Sequence, residues 1–342
     1  MASDPQRVTL AKVAETAGVS VATVSKVING RRDVAQQTRD KVLELLRRYN
    51  YGGYRDDLRS HPTVELFFGF ERLSIYHTEI IQSVVDAGAR EGIAVVVGRR
   101  GEHDPAADPA AWARDLAAAG RRAVIAVTAN ILSPAIREAL NRYRMPLVLL
   151  DPEILPDNSI VSCGVTNFSG GHSATAHLLS LGHRRIAYLG GTERAGSNQA
   201  RLHGFRSAME AADAPVPPEL VRHAGTFHAA EGIEHGQQLL AESPTPTAVF
   251  AASDELAAGV IEAARRRGLR VPEDLSVVGF DNTLLAQVTS PPLTTIHGPV
   301  REMGAVALRT ALQLAAGEEI DSHHVELATR LVVRESTCPP RD

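Results

Sequence analysis

Residues 8–30 read VTLAKVAETAGVSVATVSKVING, and their spacing decides how the first part of the chain folds. Leu10, Val13, Ala14 and Ala17 recur at i, i+3, i+4 and i+7, which places one apolar stripe along a short helix. Gly18 ends that helix, because glycine adopts backbone angles that cost other residues energy. Ser20 can cap a second helix whose inward face is Val24, Val27 and Ile28. The outward face of that helix carries Val21, Ala22, Ser25 and Lys26, with Thr23 at its flank. A third helix fits 35–49, where Val42, Leu45, Leu46 and Tyr49 repeat the same spacing. Two short helices joined by a tight glycine turn make the helix-turn-helix that fits the major groove of DNA. An ordinary helical hairpin inside a larger helical domain has the same pattern. A module of about 50 residues is marginal alone and gains from dimerisation or a partner.

Charge separates this head from the rest. Residues 1–60 hold 11 Lys and Arg against 7 Asp and Glu, a net of +4. The remainder holds 25 against 33, a net of −8, and the whole chain carries −4. A basic head on an acidic body is expected where the head alone meets phosphates, although +4 is a modest excess. At 342 residues the chain can hold this head plus one large domain or two mid-sized ones. It has no run of 18 apolar residues for a membrane span, and MASDPQRVTL at its start has no secretory apolar core. Cys163 and Cys338 are too isolated for a disulfide framework or a cysteine zinc site. A cytoplasmic protein is therefore expected, with no membrane contact, no metal and no cofactor. The 33 arginines against 3 lysines read as codon bias.

From about residue 63 short apolar runs alternate with helical segments. Strands are expected at 64–68, 94–98, 124–127, 147–150, 186–190, 248–251 and 276–279. Helices are expected at 78–91, 109–119, 134–143, 169–181, 199–212, 229–241, 255–267 and 300–316. Uniformly apolar strands spaced by helices indicate parallel sheets covered on both faces. The expected fold is α/β: a small all-α helix-turn-helix head, then a two-lobed sensor of doubly wound parallel sheets. Ligands of such sheets sit at the carboxyl ends of the strands.

Residues 8–51 resemble the DNA-binding head of the LacI family of bacterial transcription regulators. The body adds LGHRRIAYLG (181–190), RLHGF (201–205), ASDELAAGV (252–260), EDLSVVGFDN (273–282), PPLTTI (291–296) and ELATRLVVRES (326–336), in family order. The resemblance implies a body like that of periplasmic sugar-binding proteins. It divides the chain into a head (1–50), a hinge linker (51–62), a sensor (63–336) and a tail (337–342). It assigns about 63–160 and 294–320 to the first lobe, and about 161–290 and 321–336 to the second, with three crossings between them.

By the same resemblance Val21 and Ala22 read bases through apolar contacts, and Lys26 donates to guanine or rests on a phosphate. Thr9, Leu10, Ser20, Thr23, Ser25, Asn29, Thr38 and Arg39 are further DNA-side positions, chiefly for backbone contacts that set register. Ala35 stands where the family usually has a serine cap. The linker YGGYRDDLRS (51–60) lacks the family's Pro-Asn pair and carries Asp56 and Asp57, leaving Leu58 as its minor-groove wedge.

In the body the resemblance singles out Arg201 and Asp281 as bidentate partners of a ligand and Phe227 as its stacking face. Asp151, Ser253 and Asp254 follow strand ends, and Phe70, Arg72 and Tyr76 follow the first body strand. Blander readings pair Arg201 with Asp254 and bury Phe227 in the core. Thr166 stands where the family commonly has Asp. The chain shows no phosphate loop, GxSxG, HExxH or catalytic carboxylate pair, so no enzyme is expected. These features point to a homodimeric repressor of a carbohydrate-utilisation operon. It would bind a near-palindromic double-stranded operator and be released by a sugar effector. A corepressor system sensing a purine or nucleoside is the alternative, and a sugar-binding protein without DNA function the weaker one. No leucine heptads follow Val333, so a tetramerising tail is not expected.

Overall fold

The computed structural model describes residues 9–28, 34–49, 62–69, 72–100, 105–127, 133–152 and 159–341. Asn29, Leu58 and Phe70 lie outside the described residues, as does the linker from 51 to 61. The chain divides into two compact units, Met1–Pro62 and Thr63–Asp342.

The first unit contains helices α1 (Leu10–Ala17), α2 (Val21–Ile28) and α3 (Gln36–Arg48). Val13, Ala14, Ala17, Val24, Val27, Val42, Leu45 and Leu46 close a shared core, as the spacing requires. Gly18 takes φ 70° and terminates α1, and Val19 N–H reaches back to Ala14 O at 3.0 Å. Ser20 Oγ accepts Thr23 N–H at 3.1 Å, giving α2 the cap its sequence implies.

The second unit is built on two six-stranded sheets among the described residues. Strands β1 (Thr63–Phe68), β2 (Ala94–Arg99), β3 (Arg121–Val127), β4 (Leu147–Leu150), β5 (Val161–Val165) and β11 (His324–Leu327) form the first, in the order β11-β5-β4-β3-β1-β2, all parallel. Helices α4 (Ile75–Glu91) and α12 (Val300–Ala316) cover one face, and α5 (Pro109–Ala118) and α6 (Pro134–Arg142) the other.

The second sheet holds β6 (Ile186–Gly190), β7 (Val221–His223), β8 (Ala248–Ala251), β9 (Ser276–Asp281), β10 (Thr294–His297) and β12 (Arg330–Val332), ordered β12-β10-β9-β8-β6-β7. Its pairs are parallel except β10 with β12. Helices α7 (Asn167–Ser180) and α8 (Gly196–Ala211) lie on one face, α9 (Ala229–Leu239) and α10 (Asp254–Arg266) on the other, and α11 (Leu284–Val288) follows β9.

The lobe boundaries differ from those implied by resemblance. Residues 161–165 pair with β4 and belong to the first lobe, not the second. Residues 294–297 pair with β9 and belong to the second lobe, not the first, and 324–327 pair with β5 in the first. The cause is backbone pairing. Strand β9 is buried throughout, so its free edge would leave amides and carbonyls unsatisfied unless β10 closed it before the chain departs. The chain still passes between the sheets three times, at 165–167, 297–300 and 327–330.

Candidate functional site

The carboxyl ends of both sheets face a cavity of about 630 Å³. Of the sequence-expected ligand residues, Arg72, Tyr76, Asp151, Arg201, Phe227, Ser253 and Asp281 line it. Asp151 follows β4 with φ 48°, and Asp281 ends β9 with φ 106°. These backbone angles strain residues that carry a Cβ, and they hold each carboxylate at the mouth of its strand.

Arg201 reaches this point from α8, which packs so tightly on α7 that a Cβ at Gly171 would lie 2.3 Å from the Arg201 carbonyl oxygen. Its side chain is buried at 3% exposure. Arg201 Nε donates to Asn167 Oδ1 at 2.8 Å and Nη1 to Ala252 O at 2.5 Å. Nη2 stands 3.6 Å from Asp281 Oδ1, and the guanidinium carbon lies 3.6 Å from the centroid of the Phe280 ring. Burial pushes the Asp281 carboxyl well above the usual range; Arg201 opposes this, while Asp254, Asp151 and Glu79 reinforce it. Burial also raises Asp151, against the pull of Arg201 and of Tyr76, whose hydroxyl donates to Asp151 Oδ2 at 2.9 Å. The floor therefore offers carboxylate acceptors and one guanidinium donor in a poorly hydrated setting, which suits a ligand rich in hydroxyl or amide groups.

Phe227 forms part of the wall and is half-buried. A Cβ at Gly191 would come within 2.5 Å of its ring, so glycine is what lets the ring lie where it does. Ser253 has two duties: its hydroxyl accepts Leu256 N–H at 3.1 Å as the α10 cap, and donates to Phe227 O at 3.2 Å.

Asp254 does not belong to the cavity. It is fully buried and turned inward, accepting Thr283 N–H at 2.7 Å, the Thr283 hydroxyl at 3.0 Å and the Thr295 hydroxyl at 2.5 Å. The pairing of Arg201 with Asp254 is likewise replaced by Arg201 with Asp281.

Sequence reading missed several wall residues, among them Ser74, His77, Arg100, Thr192, His228 and Glu255. Thr192 and Glu255 stand just past strand ends, which was the available signal. Glu255 also joins the lobes: Oε1 accepts Ile75 N–H at 2.9 Å and Oε2 lies 3.2 Å from His228 Nδ1. Glu79 of the first lobe accepts Leu284 N–H of the second at 3.1 Å.

The head has a separate candidate surface. Val21, Ala22 and Lys26 are exposed on α2, Val21 at 46%. Thr9 stands before α1, and Leu10 packs partly into the head's core. Ser20 and Thr23 hydroxyls lie 2.9 Å apart at the start of α2, while Ser25 is half-buried on that helix. Thr38 and Arg39 are half-buried on the first turn of α3. No helix among the described residues is long and apolar enough to cross a membrane.

Comparison with known proteins matches both units of the chain. Residues 9–52 match the model of bacterial regulatory proteins, lacI family, and 175–337 that of the periplasmic binding protein-like domain. The HTH-type transcriptional regulator DegA of Bacillus subtilis is 32% identical over 339 residues, covering 97% of this chain and 99% of that protein. Catabolite control protein A of Priestia megaterium is 31% identical, covering 96% and 99%, and the repressor PurR of Vibrio vulnificus is 32% identical, covering 96% and 98%. Among solved structures, the regulator CelR in complex with cellobiose superposes with a TM-score of 0.72 at 30% identity, covering 96% of this chain and all of that one. The lac repressor dimer bound to operator and an anti-inducer gives 0.75 at 28%, covering 97% and 100%. Matched from head to C-terminal strands by such regulators, the chain belongs to the LacI family of bacterial transcriptional regulators.

Proposed function

We propose that this regulator is a cytoplasmic, homodimeric repressor of a carbohydrate-utilisation operon, and that a sugar in the cleft releases it from a near-palindromic operator. The observation that carries the sugar reading is the pairing of Arg201 and Asp281 on the cavity floor with the Phe227 ring in its wall. Vicinal hydroxyls take up bidentate partners of this kind, and a pyranose face stacks on an aromatic ring. The resemblance to a cellobiose-bound regulator supports it. Val21, Ala22 and Lys26 are the base-reading residues of this proposal, and no catalytic role is assigned.

A purine corepressor is the second reading. An aromatic face with Arg and Asp also suits a nucleobase, and the relatives include PurR repressors. Titration calorimetry decides between them, using cellobiose, ribose, adenine and hypoxanthine on the full chain. The sugar reading expects heat from a saccharide that Asp281→Asn and Arg201→Lys each weaken by about tenfold or more. Heat from the purines alone overturns it.

A further inference from the structure

Two of the three passages between the lobes are stitched together, and the stitch leads back to the cleft. Thr329 N–H donates to Thr166 Oγ1 at 3.0 Å, the Thr329 hydroxyl donates to the Thr166 carbonyl at 3.2 Å, and the two hydroxyls lie 3.0 Å apart. Thr166 N–H donates to Leu327 O at 3.0 Å. With the Thr166 hydroxyl donating to that of Thr329, each hydroxyl both gives and receives one bond, so the set is self-consistent. Thr166 belongs to the first passage and Thr329 to the third.

The next residue, Asn167, opens α7. Arg201 Nε can only donate, so the amide oxygen of Asn167 must face it, at 2.8 Å. That leaves Asn167 Nδ2 to donate to Val165 O at 3.2 Å, back across the first passage. Asn167 does not line the cavity, yet it holds the guanidinium that does.

We propose that Asn167 is a positioning residue through which Arg201 sets the first passage between the lobes, and that the Thr166–Thr329 tie makes the first and third passages move as one. The proposal deepens the reading of the cleft as an effector site. A ligand engaging Arg201 beside Asp281 pulls on a side chain whose Nε is anchored to the first residue of α7. The displacement is delivered to the crossover instead of being absorbed by a mobile arginine. The threonine at 166, where the family commonly has Asp, supplies the hydroxyl half of the tie.

Amide hydrogen exchange on the full-length protein tests this with neither effector nor DNA, so its failure leaves the repressor reading standing and failure of that reading leaves this test intact. Arg201→Lys removes the Nε donor and is expected to speed exchange about five- to tenfold in peptides covering both 165–168 and 327–330. Asn167→Ala is expected to do the same, and the double variant no more than either. Asn167→Asp, which keeps the acceptor for Arg201 but sets a carboxylate oxygen against Val165 O, should loosen 165–168 as Asn167→Ala does. In a Thr329→Val background Arg201→Lys should still loosen 165–168 but no longer reach 327–330, and Thr329→Ser should restore transmission. Additive effects of Arg201→Lys and Asn167→Ala, parent-like exchange in Arg201→Lys, or full transmission through Thr329→Val each overturn the proposal. If Asn167→Ala does not fold, the Arg201→Lys and Thr329→Val arms still decide.

Discussion

Asp254 and Asp281 show how little separates a structural carboxylate from a cavity-facing one. Both follow apolar strands, and in the sequence they look alike. Asp281 stays on the strand end and faces the cavity, while Asp254 sits one residue beyond the Ser253 cap and turns into three hydrogen bonds from Thr283 and Thr295. Asp254→Ala leaves the Thr283 N–H and the Thr283 and Thr295 hydroxyls without their acceptor, so it should lower folding stability by about 1–3 kcal/mol or more in a denaturant melt while leaving effector affinity unchanged. A loss of effector affinity at parent stability would return Asp254 to the site. Phe227 offers a second test. Gly191→Ala brings a methyl group into its ring and should weaken the effector by about tenfold, read by calorimetry, with a melting temperature close to that of the parent. Lys26→Ala, on the exposed face of α2, should relax preference at one base pair by about 1–3 kcal/mol. A loss equal on all sequences would make Lys26 a phosphate anchor.

At the scale of elements, the start of α4 carries a pH-dependent joint. Ser74 Oγ accepts His77 N–H, and His77 Nδ1 accepts Ser74 N–H at 2.9 Å, a reciprocal cap that requires the ring nitrogen unprotonated. Burial, with His228 nearby, pushes His77 down from 6.5 to about 4. In the unfolded chain the same ring takes a proton near its ordinary value. Between pH 6.5 and 4 the unfolded state therefore binds more protons, and stability falls as pH drops through that window, by up to about 3 kcal/mol. Melts from pH 7 to 4.5 should fall more steeply for the parent than for His77→Gln; parallel slopes would exclude this cause. The cap also explains why α4 begins at Ile75, earlier than its apolar spacing implies: histidine is not read as a capping partner. The expected helices were legible from their repeating apolar spacing, and the longer strands from their uninterrupted apolar runs. Strand β5 was not, since Ser162 and Gly164 interrupt VSCGV, and in β10 the buried residues of TTIH include two threonines. Their membership of a sheet is set by pairing partners far away in sequence, which local periodicity does not carry. The family resemblance pointed to Arg201, Asp281 and Phe227 and the carboxyl-end rule to Asp151, but His228 enters the cavity on a connection that no period marks.

For the whole molecule, the head and the body were separable by sequence alone, from the helical spacing before residue 50 and the strand–helix alternation after 63. The division falls between Pro62 and Thr63. The body's lobes exchange chain three times, so a ligand that draws them together acts on all three passages at once. In the proposed repressor that movement changes operator affinity, and linkage requires the operator to change effector affinity by the same factor, typically about 5–150-fold. The most direct test is fluorescence anisotropy of the full-length protein on DNA from upstream of its own gene. It is run at one fixed salt concentration, because phosphate contacts make affinity salt-dependent, with and without each saccharide of a mono- and oligosaccharide panel. The account predicts specific binding that one saccharide weakens within that range, and that Arg201→Lys binds the same DNA without responding. Binding no tighter than to unrelated DNA, or binding that every saccharide leaves unchanged or strengthens, would contradict it.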